Sequence, residues 1–265
     1  MKDNFKIMNL KNKKALIIGI ASKRSIAASI AHSFGKNGAE IALTYQNDKL
    51  KGRVEDIAKE LSTDSKILLH PCDLSSDEQI RDLKNYIKET WNSIDIIIHS
   101  AAFAPRELLS GDFVDNITRD GFLMAHDISS YSFAALAKEF REIINDNGSL
   151  ITLSYLGSEK VIKNYNVMGL AKASLEANVR YMSHSLGANN IRVNAVSAGP
   201  IKTLAAAGIS GFSEILKHVE EKSALQRNIS LEEVANTAVF LASNQSSGIT
   251  GQVIYVDAGF NISGV

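Results

Sequence analysis

Apolar positions along the chain fall into two alternating kinds of segment. Short β-branched runs predict strands at Ala15–Gly19, Glu40–Tyr45, Lys66–Leu69 and Ile94–His99. Longer stretches with apolar residues at helical spacing predict helices at Ile26–Phe34, Lys49–Leu61 and Asp77–Trp91. The second half repeats the pattern, with strands at Ser149–Ser154, Ile191–Val196 and Gln252–Val256. Its helices are expected at Gly121–Ile144, Val167–Leu186 and Leu231–Leu241. The run IDIIIH at 94–99 is so apolar that both of its faces must be covered. Such strands belong to parallel sheets inside an α/β layer fold. Seven strands with intervening helices predict a single doubly wound parallel sheet with helices on both faces, spanning residues 1–265 without a domain boundary.

The segment Thr203–Phe212 breaks the alternation with small residues and two glycines after Gly199–Pro200. It reads either as a plain surface connection or as a lid, and residues 203–222 form the candidate substrate-covering loop and helix. The mixed charges from Glu214 to Lys222 read as a solvated helix face.

Composition narrows the function classes. The 265 residues carry 29 basic and 29 acidic side chains, so nothing supplies a general attraction to nucleic acid or to an anionic membrane. The single cysteine, Cys72, excludes an internal disulfide and any multi-cysteine metal site, and it fits a reducing compartment. No apolar run approaches the roughly 20 residues that span a bilayer, and residues 1–14 lack a signal-peptide core. A cytoplasmic protein without a metal is expected.

The candidate chemistry sits at strand ends, where doubly wound sheets bind their ligands. After the first strand, Gly19 permits a tight turn, and Ser25 and Ala27 are small enough for close approach at a helix start. Free N–H groups and the helix dipole favour a pyrophosphate there. The stretch is not G-x-G-x-x-G, and by itself it serves equally as a structural βα turn. Asp73, after the third strand, can accept from an adenine amino group or belong to a helix start with Ser75 and Ser76. Ala101 and Ala102, after the fourth, could let a flat ring lie on the backbone or simply fill core. Strand five ends in Ser154–Tyr155, followed by Tyr165 and, seven residues on, Lys172. On one helix that spacing is about two turns, or about 10 Å, with both side chains on one side. A lysine so placed is expected to lower the phenol pKa and favour donation to a developing oxyanion, as carbonyl or enoyl-thioester reduction requires. Taken alone, two tyrosines and a lysine could also share this stretch by chance. His99 and His126 read as buried or supporting residues, and Cys72 as a small apolar filler.

Taken together, these stretches resemble the divergent branch of the short-chain dehydrogenase/reductase superfamily. More narrowly, they resemble the bacterial NADH-dependent enoyl-[acyl-carrier-protein] reductases of type II fatty acid synthesis. The likeness runs through GIASKRSIA at 19–27, TYQNDKLKGRVE at 44–55, CDL at 72–74 and AHDISSYSF at 125–133. It continues through 153–182, which contains Tyr155, Tyr165 and Lys172, and through RVNAVSAGPIKTLAA at 192–206. A tyrosine-to-lysine spacing of seven, where ordinary members of the superfamily use four, marks the branch. The resemblance implies a Rossmann-type fold, an NADH cofactor, an acyl carrier protein partner and a homotetramer. It implies that Gly19, Ser25 and Ile26 hold the pyrophosphate side and that Gln46 lies near the adenosine ribose. Asp73 and Leu74 would flank the adenine, and Ala101 would contact the cofactor behind the ring. Lys172 would bind the nicotinamide ribose, and Ile201, Lys202, Thr203, Leu204 and Ala205 would cover the nicotinamide amide and pyrophosphate. Tyr165 would stabilise the enolate, Tyr155 would be a second active-site tyrosine, and Ala104 would contact the acyl substrate. One departure is Ala102, where many relatives carry Gly; it adds a methyl beside the expected nicotinamide.

Two rivals remain in view. A ketoacyl reductase or other alcohol dehydrogenase expects a spacing of four and an upstream serine, and a non-catalytic dinucleotide sensor expects a degraded tyrosine–lysine pair. The residues after the second strand carry a cofactor prediction of their own. A 2′-phosphate needs an arginine or paired cations there, whereas Tyr45–Gln46–Asn47–Asp48 offers amides and a negative charge, with Lys49 and Lys51 further on. NADH should exceed NADPH by about tenfold or more in kcat/KM, equivalent to about 1.4 kcal/mol. Equal values at fixed enoyl thioester and salt would show that Lys49 or Lys51 reaches the phosphate.

Overall fold

A computed structural model describes residues 9–63, 65–204, 206 and 211–263. Seven strands form one parallel sheet in the order β3-β2-β1-β4-β5-β6-β7. The strands are β1 (Lys14–Ile18), β2 (Glu40–Tyr45), β3 (Leu68–Pro71), β4 (Ile94–His99), β5 (Ile144–Ser154), β6 (Arg192–Ala198) and β7 (Val253–Val256). The helices between them are α1 (Ile26–Lys36), α2 (Asp48–Glu60), α3 (Asp77–Trp91), α4 (Phe113–Asn116), α5 (Arg119–His126), α6 (Ser132–Phe140), α7 (Asn166–Leu186), α8 (Phe212–Lys222) and α9 (Leu231–Ala242). The chain order reverses between β1 and β4, which opens a crevice at the carboxyl ends of those strands.

The apolar strands are explained by two cores, one on each face of the sheet. Ala15, Ile17, Ile96 and Ile98 pack with α1, α2 and α9 through residues such as Ile30, Ile57 and Val239. Leu16, Ile18, Ile94 and Ile97 face the other way, onto Leu83 of α3, Phe133 of α6 and Leu175 of α7. Side chains alternate across a strand, so a strand covered on both sides needs an apolar residue at every position. The helices start where polar caps predict. Ser25, Asn47 and Ser76 accept from their first-turn N–H groups, and Ser230 with Glu233 completes a capping box on α9.

Three expected boundaries are corrected. The continuous helix over 121–144 does not form. After α5 the backbone widens into a π-helical turn at Asp127–Tyr131 before resuming as α6. There the Ser132 hydroxyl donates to the Ile128 carbonyl, and the Ser129 hydroxyl bonds the backbone N–H and carbonyl of Phe103. Hydroxyls competing for backbone groups loosen a helix in this way. Ile144, apolar in helical phase, instead begins β5 opposite Ile94, and Asn147 beyond it takes a left-handed φ of 63°. The third strand runs to Pro71, two residues past the expected end, through pairing of Thr44 with His70 and Tyr45 with Pro71. As an edge strand it tolerates a proline, and its end leaves no hydrophobic mark.

Gly19 closes the crevice floor. Its φ is +101°, and a Cβ there would lie 2.1 Å from the Ser100 carbonyl oxygen at the end of β4. Gly19→Ala should therefore cost roughly 2–4 kcal/mol, from backbone strain plus a steric conflict that neither strand can relieve. Urea unfolding measures this directly, and a loss below about 0.5 kcal/mol would mean that the β1–β4 approach is not tight.

Candidate active site

Two adjoining cavities occupy the crevice. The first, about 470 Å3, is lined by the β1 turn (Gly19 to Ala21), Ser25, Gln46, Cys72 to Leu74 and Ser100 to Ala102, with Lys172 on its far side. The second, about 670 Å3, is lined mainly by apolar groups: Phe103, Leu109, Ile162, Met168, Ile201, Phe212 and Ile215. Tyr155, Tyr165, Ala102, Thr203 and Leu204 line both.

The smaller cavity suits a dinucleotide by its own features. The cradle at Gly19 would be filled by any Cβ, and α1 points its N-terminus there with no acidic residue in the first turn. Ser25 caps α1, accepting from Ala28 and donating to the Ser22 carbonyl, so its hydroxyl shapes the loop. The Gln46 amide donates to Asp73 at 3.1 Å, joining the expected ribose and adenine positions. Burial works against the Asp73 charge, but the N–H and hydroxyl of Ser75, with Gln46, hold its carboxyl below the usual range. Asn47 is occupied in capping α2, and Lys49 and Lys51 are exposed and line neither cavity. Burial pushes the Cys72 thiol up to about 12, which leaves it an inert filler.

The tyrosines and the lysine meet where the cavities join. Tyr165 takes helical dihedrals at the residue before α7, between Asn164 and Asn166, whose φ values are 64° and 41°. Its ring meets Tyr155 edge-on, with centroids 4.9 Å apart. Lys172, two turns on, is 6% exposed and donates to the Leu153 carbonyl at 2.7 Å. Burial lowers its pKa to about 8, with Glu176 opposing the shift. The expected acidification of the phenol is corrected. Burial, with Tyr155 and Glu176 adding to it, pushes the Tyr165 pKa up, so the hydroxyl is a neutral proton donor throughout the physiological range. Tyr155 is likewise pushed up to about 12 by burial and by Asp257. His99 is fully buried between Thr152 and Ser132, and burial, with Lys172 nearby, lowers it to about 3.

Most of the expected site residues come together. Gly19, Ser25, Gln46, Asp73, Leu74, Ala101 and Lys172 line the smaller cavity, Ala104 and Ile201 the larger, and Ile26, Thr203 and Leu204 both. Lys202 does not: it is exposed and lines neither cavity, because the backbone turns Ile201 and Thr203 inward on either side of it. Ala205 and 207–210 lie outside the described residues, so the expected lid is seen only at its ends. Sequence reading missed Ile162 and Met168, and it placed Phe212 and Ile215 only within the 203–222 covering segment, without naming them. The apolar spacing of Phe212, Ile215, Leu216 and Val219 on α8 was the available signal, and it corrects the expected solvated face, since Leu216 and Val219 are buried. It also missed Glu176, which is buried and accepts from the hydroxyls of Ser154 and, at 2.7 Å, Ser158.

Comparison with known proteins finds relatives over nearly the whole chain. A family model described as enoyl-(acyl carrier protein) reductase matches residues 19–261. The chain is 51% identical over 254 residues to the Escherichia coli K12 protein "Enoyl-[acyl-carrier-protein] reductase [NADH] FabI", covering 96% of each chain. A Bacillus cereus enoyl-acyl carrier protein reductase solved with NADP+ and an indole naphthyridinone superposes with a TM-score of 0.94 at 45% identity, over 97% of this chain and 99% of that one. The Anaplasma phagocytophilum reductase solved with NAD gives 0.92 at 41% identity, over 97% and 96%.

Gly157 sets the spacing of the tyrosines. A Cβ there would lie 2.4 Å from the Tyr165 ring and 3.3 Å from that of Tyr155. Gly157→Ala should displace the Tyr165 ring, lowering kcat by about tenfold to a hundredfold, as overpacking of about 1–3 kcal/mol implies, while NADH affinity stays near wild type. Steady-state kinetics beside direct NADH titration separates the two, and an unchanged kcat would show that the ring has room to shift.

Proposed function

The chain belongs to the enoyl-[acyl-carrier-protein] reductase family, and we propose a division of labour among its residues for that family's reaction. It is an NADH-dependent oxidoreductase that reduces trans-2-enoyl thioesters carried on acyl carrier protein. The observation that carries the assignment is that Tyr165 and Tyr155 border the polar and the apolar cavity at once.

Gly19, Ser25 and Ile26 hold the pyrophosphate side of the cofactor, Gln46 the adenosine ribose, and Asp73 and Leu74 the adenine. Ala101 contacts the cofactor behind its ring, and Ile201, Thr203 and Leu204 cover its nicotinamide end. When bound, NADH supplies the hydride that the β-carbon of the substrate accepts. Lys172 donates to ribose hydroxyls and adds positive charge to a region where negative charge develops. The Tyr165 hydroxyl, kept neutral by burial, donates to the thioester oxygen as charge collects there. Tyr155 packs the edge of that ring, limits its rotation and excludes water. The acyl chain lies along Ala104, Ile162, Met168 and Ile215, where burying it is favourable. Thr203, Leu204, Phe212 and Ile215 border the same space, and the α-carbon is protonated before release.

The whole chain acts as one cofactor-binding and catalytic unit. Exposed Leu123 and Met124 of α5 and Leu170 and Tyr181 of α7 support assembly into a homotetramer, since such apolar side chains favour a protein partner. Among the described residues no helix is long and apolar enough to cross a membrane. The free, buried Cys72 fits work in the reducing cytoplasm.

NADH oxidation with a crotonyl thioester tests the reaction, and two variants test the roles. Tyr165→Phe should lower kcat by about 10²–10³, equivalent to roughly 3–4 kcal/mol for one donor at an oxyanion, while leaving NADH binding intact. Lys172→Ala should weaken NADH binding as well as turnover. Equal NADH affinity in wild type and Lys172→Ala would remove the lysine from the cofactor site.

A further inference from the structure

The Glu176 carboxylate lies one helical turn beyond Lys172, is 5% exposed, and lines neither cavity. One of its oxygens accepts from the hydroxyls of both Ser154, the last residue of β5, and Ser158, in the turn that follows. Those two serines bracket Tyr155. The same segment carries the Leu153 carbonyl that receives the Lys172 ammonium.

A buried charge persists only when its surroundings compensate it, and here Ser154 and Ser158 supply hydrogen bonds while Lys172, one turn back on the same helix, supplies an opposite charge. Resting on the reductase reading above, we propose that Glu176 is a positioning residue for the reduction. Through Ser154 and Ser158 it clamps the Tyr155-bearing turn, and from the same helix it supplies the counter-charge that keeps Lys172 an ammonium. It touches neither substrate nor cofactor. The device couples the two cavities: the group that sets the cofactor-side charge also fixes the wall against which the Tyr165 ring packs.

The surroundings of Lys172 make its charge readable. From β4, His99 stays neutral because burial holds its pKa at about 3. Tyr165 and Tyr155, the latter also facing Asp257 beyond β7, are raised and remain protonated. Lys172 itself falls to about 8 by burial, with Glu176 raising it. Lys172 is charged below that pH, so NADH affinity is full there and is lost as pH rises through it. Removing the carboxylate should move this alkaline limb to lower pH.

The experiment titrates NADH binding by its fluorescence across the neutral to alkaline range, beside turnover of a crotonyl thioester, in wild type, Glu176→Gln and Ser158→Ala. Glu176→Gln keeps the size and one acceptor oxygen. It should shift the limb down by about one pH unit, which is about tenfold weaker binding above it. Ser158→Ala leaves the charge in place and loosens only the clamp. It should lower kcat several-fold with NADH affinity and its limb unchanged. A wild-type limb in Glu176→Gln, or wild-type kcat in Ser158→Ala, overturns the proposal. If Glu176→Gln does not fold, the kcat of Ser158→Ala decides. Wild-type protein that binds NADH but does not reduce the thioester would instead defeat the reductase reading, leaving the binding limb to judge Glu176.

Discussion

The site depends on a cation held out of water. Lys172 is almost wholly enclosed, and its ammonium donates to the Leu153 backbone carbonyl at 2.7 Å, with a buried carboxylate one turn away. Taking an ammonium from water costs several kcal/mol even after relaxation, so the enclosure survives only because β5 and α7 are locked together around it. That lock has consequences along the chain. It places the start of α7 against the turn after β5, where Gly169 and Gly157 permit an approach at which a Cβ on Gly169 would lie 2.6 Å from the Gly157 carbonyl oxygen. It thereby brings Tyr165 to the edge of Tyr155.

The two cavities then divide the chemistry by polarity. On the cofactor side the walls are backbone, small side chains and a few fixed polar groups, because five strand ends, those of β1 to β5, and a helix N-terminus converge there. On the substrate side they are mainly isoleucine, methionine, leucine and phenylalanine from segments outside the sheet, alongside Arg106, Ser154 and Thr203. Where they join, burial makes the phenols weaker acids. Weak acidity suits the reduction, because a donor meeting a developing oxyanion must still carry its proton. A low-dielectric pocket both keeps the proton there and strengthens the bond it makes.

The π-helical turn at 127–131 shows how the fold makes room for this. Ser129 bonds both backbone groups of Phe103, and Ile128 reaches the cofactor cavity. A regular helix would turn these residues elsewhere. The widened turn is therefore part of what fixes the loop after β4, on which Ala101, Ala102 and Ala104 sit.

Much of this was legible in the residues themselves. The doubly covered strand IDIIIH, the alternation of β-branched runs with helical spacing, the small residues after β1 and the seven-residue step from Tyr165 to Lys172 each follow from local periodicity. Periodicity is a property of sequence. The helix break at 127, the start of β5 at Ile144 and the reach of β3 to Pro71 were not legible, because each is decided by a partner distant in the chain: Phe103 for the first, Ile94 for the second, β2 for the third. The same holds for protonation. A lysine seven residues from a tyrosine predicts an acidified phenol, yet burial from every side raises the phenol and lowers the lysine. It holds too for Glu176, an ordinary acid on a helix until folding removes its water and sets Ser154, Ser158 and Lys172 around it. The sequence alone determined which chemistry is present, because residue type and spacing are local. Only the tertiary structure decided its electrostatics, because desolvation depends on what the rest of the chain brings near.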